Sequence, residues 1–170
     1  MDAVLEMGNM SISHRNALDQ MIQFWGKVAE SVPKGYRMVR EANYEWPEDV
    51  TPDGRQLRRE PALSVILLPS HKKGLCYTDT PVWIAEVLSP STEAVDRGEK
   101  KELYAKIGVQ EYWIVDITQG TVEVYILAEC GDDGQELYFA ERVDLHAQGQ
   151  VRIHCLNLSV PSATLLDVNW

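Results

Sequence analysis

Residues 82–116 read VWIAEVLSPSTEAVDRGEKKELYAKIGVQEYWIVD, a pattern of strand, helix, strand. Val82 to Leu88 is apolar except for Glu86. Successive strand residues face opposite ways, so Val82, Ile84, Glu86 and Leu88 share one side and Trp83, Ala85 and Val87 the other. A strand apolar on both faces belongs in the middle of a sheet that is covered on both sides. A carboxylate there is costly to bury unless something pairs with it or binds it. Pro90, in the Ser89 to Thr92 stretch, ends the strand. Lys100, Leu103, Tyr104 and Ile107 have i, i+3, i+4, i+7 spacing, which predicts a helix from about Asp96 to Ile107, stopped by Gly108. Lys100 then lies on the face that docks on the sheet, whereas Lys101, Glu102 and Lys106 fall off the stripe and Lys101 reads as a solvent residue. Glu111 to Asp116 predicts the next strand, with Tyr112, Ile114 and Asp116 on one face. One carboxylate, Glu86, and one ammonium, Lys100, are thus expected on surfaces that ought to be dry. Each has a structural reading beside the functional one: a lysine that snorkels to solvent, and a buried acid paired with an arginine or a hydroxyl.

Working outward, Ser11-Ile12-Ser13 offers N-cap residues for a helix to about Ala29, with His14 at the first turn of its apolar stripe. A histidine there serves a site or simply bonds a neighbouring loop. Tyr36 to Trp46 alternates and predicts a strand with one polar face, on which Glu41 and Glu45 read as solvent residues. Ala62 to Leu68 predicts a second core strand, neighbouring the strand of Glu86, so that Ala62 and Glu86 lie on adjacent strands. Thr121 to Leu127 is rich in β-formers and expected antiparallel to its predecessor. Asp132-Asp133-Gly134 predicts a hairpin turn, and Glu136 to Val143 and Gln150 to Cys155 complete a β-rich tail.

The stretch Glu86-Val87, Ser89-Pro90-Ser91-Thr92, Asp96, Lys100, Tyr104, Gly108-Val109 and Glu111-Tyr112-Trp113, Asp116 resembles the signature of the Uma-two-type putative restriction endonucleases, a branch of the PD-(D/E)xK nuclease superfamily. Weaker similarity runs from about Ser11 to Trp170. The resemblance implies an α/β, restriction-endonuclease-like fold over residues 1–170: a mixed sheet flanked by helices, with an antiparallel β-rich C-terminal part. It implies a magnesium-dependent DNA endonuclease in which Glu86 holds Mg²⁺ (or Mn²⁺) and Lys100 is the active-site cation, with His14, Asp96 and Tyr104 in support. The chain departs from the family at one place. Where the family has Pro-Asp, this sequence has Pro61-Ala62, so the second acid is missing. Glu60, Glu41 and Glu45 are the candidate substitutes, although Glu60 would sit about 6 to 7 Å further along the chain. Two functions follow: an endonuclease with a degenerate metal site that binds the ion weakly or not at all, or a non-catalytic nuclease-fold module for binding or oligomerisation.

Composition bounds these readings. Sixteen Lys and Arg against 26 Asp and Glu give a net charge of −10. That is the wrong sign for non-specific phosphate binding, so DNA is a partner only through a local site. The three cysteines, Cys76, Cys130 and Cys155, form no CxxC pair, which fits a reduced, cytoplasmic setting. No run of about 18 apolar residues exists to span a membrane, and the acidic start is unlike a secretory signal. Trp113, Trp170 and the uncharged carboxy-terminal stretch suggest more apolar surface than a small monomer buries, so a homodimer or larger assembly is expected.

Overall fold

The computed structural model describes residues 25–26, 28–128, 137–147, 149–162 and 165. His14 and all but the end of the expected first helix lie outside these residues, as do the Asp132-Asp133-Gly134 turn and Trp170. Trp25, Gly26, Val28 and Ala29 are helical.

The described strands are β1 (Tyr36–Arg40), β2 (Leu63–Leu67), β3 (Lys72–Lys73), β4 (Cys76–Tyr77), β5 (Trp83–Val87), β6 (Glu111–Asp116), β7 (Thr121–Ala128), β8 (Leu137–Asp144), β9 (Gln150–Ile153) and β10 (Leu158–Pro161). Six of them form one mixed sheet in the order β1-β2-β5-β6-β7-β8. β5 and β6 pair in parallel at its centre and every other neighbour is antiparallel. The parallel step needs a crossover, and α1, residues 93–106, supplies it. The described residues are mostly β with few helices. The expectation was a mixed sheet flanked by helices with an antiparallel β-rich C-terminal part; the mixed sheet is there, and α1 is the one long helix among the described residues.

Period-two alternation splits β5 and β6 between two cores. Trp83, Ala85, Val87, Trp113 and Val115 join Trp25 on one side, and the β9–β10 hairpin covers them with Val151, Ile153 and Val160. Among the described residues this face is covered by the β9–β10 hairpin and the helical residues around Trp25. On the other side Ile84, Tyr112 and Ile114 meet Leu103 and Tyr104 of α1, with Tyr44, Trp46 and Tyr77 filling the remainder. Trp113 is completely buried between Trp25 and Trp83. It therefore presents no surface to a partner, contrary to the expectation that used it to argue for assembly.

Two further expectations are corrected. The strand predicted over Tyr36 to Trp46 stops at Arg40, because Glu41 turns into the left-handed region (φ 43°) and redirects the chain, after which Tyr44 and Trp46 insert into the core. Lys101, read as a solvent residue, has its ammonium 5.4 Å from the centre of the Tyr125 ring, where the ring face attracts it.

Candidate functional site

α1 begins at Glu93, three residues earlier than the apolar spacing indicates, and is not uniform. It opens as an α-turn over Glu93–Val95, widens into a π-turn over Asp96–Lys100 that contains Gly98, and returns to α over Lys101–Lys106. Single π-turns inside helices are found preferentially at functional sites. This one puts Asp96 and Lys100, four residues apart, over the carboxylate of Glu86. Gly108 adopts φ 84° just past the helix end, a conformation that suits a residue without a Cβ. Arg97 fastens the helix to the sheet through Glu123, with Nη2 at 2.6 Å and Nε at 3.0 Å, and also pairs with Glu93.

Glu86 is 6% exposed. Its Oε1 accepts from Lys100 Nζ at 3.0 Å and from the Tyr104 hydroxyl at 3.1 Å. Its Oε2 lies 3.4 Å from the backbone N–H of Ala62. The same Lys100 ammonium is 2.8 Å from Asp96 Oδ1, an ion pair by distance that is poorly aimed as a hydrogen bond. Asp96 is 1% exposed, and its carbonyl accepts from the Tyr112 hydroxyl at 3.1 Å. The cluster is thus two buried carboxylates around one ammonium.

The electrostatics follow from this geometry. Burial pushes the Glu86 carboxyl above its ordinary range, with Lys100 opposing the shift and Asp96 adding to it. Burial works to lower Lys100, but Glu86 and Asp96 outweigh it and its pKa is raised. Lys100 therefore stays protonated: it can donate hydrogen bonds and offset negative charge, and it cannot serve as a base at neutral pH. Burial, then Glu86, pushes the Tyr104 hydroxyl well above its ordinary value, so it is a neutral donor.

Of the residues singled out in the sequence, Glu86, Asp96, Lys100 and Tyr104 meet in space. Ala62 stands where the β2–β5 register, continued one step past Leu63↔Ala85, faces Glu86. It presents an N–H and a methyl group there, and part of the residue packs against the tryptophan core. The β1–β2 register continues the row, and the Glu41 N–H donates to the Ala62 carbonyl at 3.2 Å. Glu45 is committed elsewhere, to Lys73 at 3.2 Å and Arg58 at 3.3 Å. Glu60 is exposed on the stretch leading into β2.

Sequence reasoning missed Arg59. Its side chain is 14% exposed, and the guanidinium grips Asp49 through both carboxylate oxygens, at 2.6 and 2.8 Å, while also pairing with Glu99 of the π-turn. The Asp49 hydrogen bonds are the largest influence raising its pKa. Arg59 ties the segment before β2 to the helix carrying Lys100. The only hint in the sequence is its place two residues before Pro61.

The magnesium ion implied by the resemblance does not fit the residues present. Mg²⁺ takes hard oxygen ligands in near-octahedral array. Here position 62 supplies no carboxylate, Glu86 Oε1 already accepts two donors, and the nearest second acid, Asp96, shares its cation with Glu86. Among the described residues no three His, Cys, Asp or Glu side chains gather so as to hold a metal ion.

Comparison with known proteins adds three likenesses. The profile of the Uma2 family, described as "Putative restriction endonuclease", matches residues 2–157. An uncharacterised protein of Synechocystis sp. is 40% identical over 73 residues, which is 42% of this chain and 38% of that protein, so the match spans well under half the relative's length. The crystal structure of a "putative nuclease belonging to DUF820" from Anabaena variabilis superposes with a TM-score of 0.62, covering 92% of this chain and 82% of that one at 18% identity. At that identity the likeness concerns the fold.

Proposed function

The chain belongs to the Uma2 family of putative restriction endonucleases, and on that premise we propose that it is a restriction-endonuclease-like domain with a degenerate hydrolytic centre, which cleaves DNA slowly or not at all and works as a binding or self-association module with little affinity for DNA at large. The observation that carries this reading is the pair Ala62 and Glu86. Where a second carboxylate would face Glu86 across β2 and β5, there is a backbone N–H at 3.4 Å. Metal-assisted phosphodiester hydrolysis needs an ion held where it can activate water and offset the charge that develops on phosphate. One buried glutamate whose better-placed oxygen is taken by Lys100 and Tyr104 is a poor holder for such an ion.

The test is a plasmid-nicking assay of the full chain with Mg²⁺ and with Mn²⁺, beside the Ala62→Asp variant. The wild type nicks the plasmid slowly or not at all. Ala62→Asp binds Mn²⁺, because position 62 opens β2 beside Glu86, and it melts at a lower temperature without metal, because a further like charge joins the cluster. Efficient wild-type nicking that Glu86→Gln abolishes would overturn the reading.

A second reading is favoured by one observation, the row Glu41–Ala62–Glu86 across β1, β2 and β5. If Glu41 reaches over the small Ala62 side chain, the chain is a metal-dependent DNA endonuclease with a displaced acid. Nicking that is lost in Glu41→Gln as well as Glu86→Gln identifies it. Self-association remains part of the proposal, and light scattering that returns a monomer mass at micromolar concentration removes that part.

A further inference from the structure

We infer that Lys100 is the resident cation of this centre: its ammonium takes the charge-balancing place between Glu86 and Asp96 that a divalent ion would otherwise fill, so the folded domain needs no metal and keeps one out. This deepens the reading of a degenerate centre and rests on it.

Two carboxylates removed from water need a compensating charge close by. Glu86 is 6% and Asp96 1% exposed. Lys100 Nζ lies 3.0 Å from one and 2.8 Å from the other. The remaining donors to Glu86, the Tyr104 hydroxyl and the Ala62 N–H, are neutral. The neighbouring guanidinium groups are engaged elsewhere, Arg59 with Asp49 and Glu99, and Arg97 with Glu93 and Glu123. Among the described residues Lys100 alone therefore carries the compensation, and its i, i+4 spacing from Asp96 puts both on the helix face that meets Glu86. A divalent ion entering the cluster would have to displace the ammonium, because two cations at this separation repel strongly in a poorly solvated site. Ala62 keeps the imbalance small: with a third carboxylate at position 62, a lone ammonium would leave two negative charges uncompensated in place of one.

The test uses the full chain, thermal melts with and without millimolar MnCl₂, and electron paramagnetic resonance to count free Mn²⁺. The wild type melts at the same temperature with and without Mn²⁺ and binds none. Lys100→Met lowers the melting temperature by about 10 °C in the absence of metal. Added Mn²⁺ raises it again by about 5 °C and is taken up, since the two carboxylates now accept an external cation. The double variant Glu86→Gln/Lys100→Met removes one negative charge with the positive one. It melts above Lys100→Met without metal and does not respond to Mn²⁺. If Lys100→Met does not fold, the double variant decides: its folding supports the inference and its failure to fold overturns it. A Lys100→Met variant indifferent to Mn²⁺, with the double variant no more stable, also overturns it and leaves the proposed function standing. Wild-type Mn²⁺ binding that Glu86→Gln abolishes overturns the inference alone when no DNA is cut, and overturns both readings when DNA is cut.

Discussion

Burial is the first influence on the Glu86 carboxyl, and its titration is the most direct probe of that. Its folded pKa lies above the ordinary 4.5, first through burial. The folded chain then holds this proton more tightly than the unfolded chain. The stability contributed is full below pH 4.5 and declines as pH rises from 4.5 through the raised value. Denaturant titrations between pH 4.5 and neutrality should show a fall in stability that Glu86→Gln flattens. At neutral pH the substitution itself costs only about 1 kcal/mol, because Lys100 keeps Asp96. Tyr104→Phe removes one of two donors on Glu86 Oε1 without leaving that oxygen unpaired, so it too should cost about 1 kcal/mol by the same titration. A loss of several kcal/mol would mean that the hydroxyl, rather than the ammonium, is what keeps the acid buried.

At the scale of the element, α1 depends on how it ends and β6 on how it turns. Gly108 and Gly120 both adopt positive φ, at 84° and 63°, yet they differ in what surrounds them. A Cβ at Gly108 meets nothing within 4 Å, so Gly108→Ala pays backbone strain alone, about 1 kcal/mol. A Cβ at Gly120 collides with the His146 ring, so Gly120→Ala must displace that ring as well as adopt the strained backbone. Chemical denaturation of the two variants should rank Gly120→Ala as the more damaging, and equal losses would show that the ring moves aside freely. The break after β1 belongs to the same scale. Glu41 leaves the extended region and lets Tyr44 reach Ser64, with hydroxyl oxygens 2.6 Å apart, a contact that a strand running on to Trp46 would not allow.

At the scale of the molecule, two aromatic cores on opposite faces of one sheet hold the site in place. The Trp25–Trp83–Trp113 group lies behind β5 and β6, and the Tyr44–Trp46–Tyr104–Tyr112 group lies in front. Trp113→Ala should cost about 3 to 5 kcal/mol by denaturant unfolding. It should also disturb Glu111, a fully buried carboxylate that accepts from Trp113 Nε1 at 2.6 Å and from the Cys155 N–H at 2.9 Å. The charge of the whole chain, −10, bears on partners. Non-specific DNA binding draws on phosphate neutralisation, so fluorescence anisotropy with a short labelled duplex at physiological salt should show no binding by the wild type. Binding that weakens steeply as salt rises would instead reveal a basic face strong enough to overcome the net charge. Among the described residues no helix is long and apolar enough to cross a membrane.

What the sequence determined by itself is the strand–helix–strand frame over residues 82–116 and the faces on which Glu86, Lys100 and Tyr104 lie. These follow from the periods of two and 3.6 residues, which are local properties of the backbone. That Ala62 lies beside Glu86 was equally legible, because strand neighbours can be ordered from the pattern of turns; that an acid is missing there is what the resemblance to the family implies. The tertiary structure alone decided how charges pair. Lys100 is shared between Glu86 and Asp96 because crossover packing lays the helix face carrying both over the Glu86 carboxylate. Arg59 meets Glu99 across 40 positions, and Glu111 finds the Cys155 N–H across 44. Such partners are set by sheet register and crossover packing, and a buried charge is compensated by whatever cation or N–H the fold brings within about 3 Å, however distant it is in the chain.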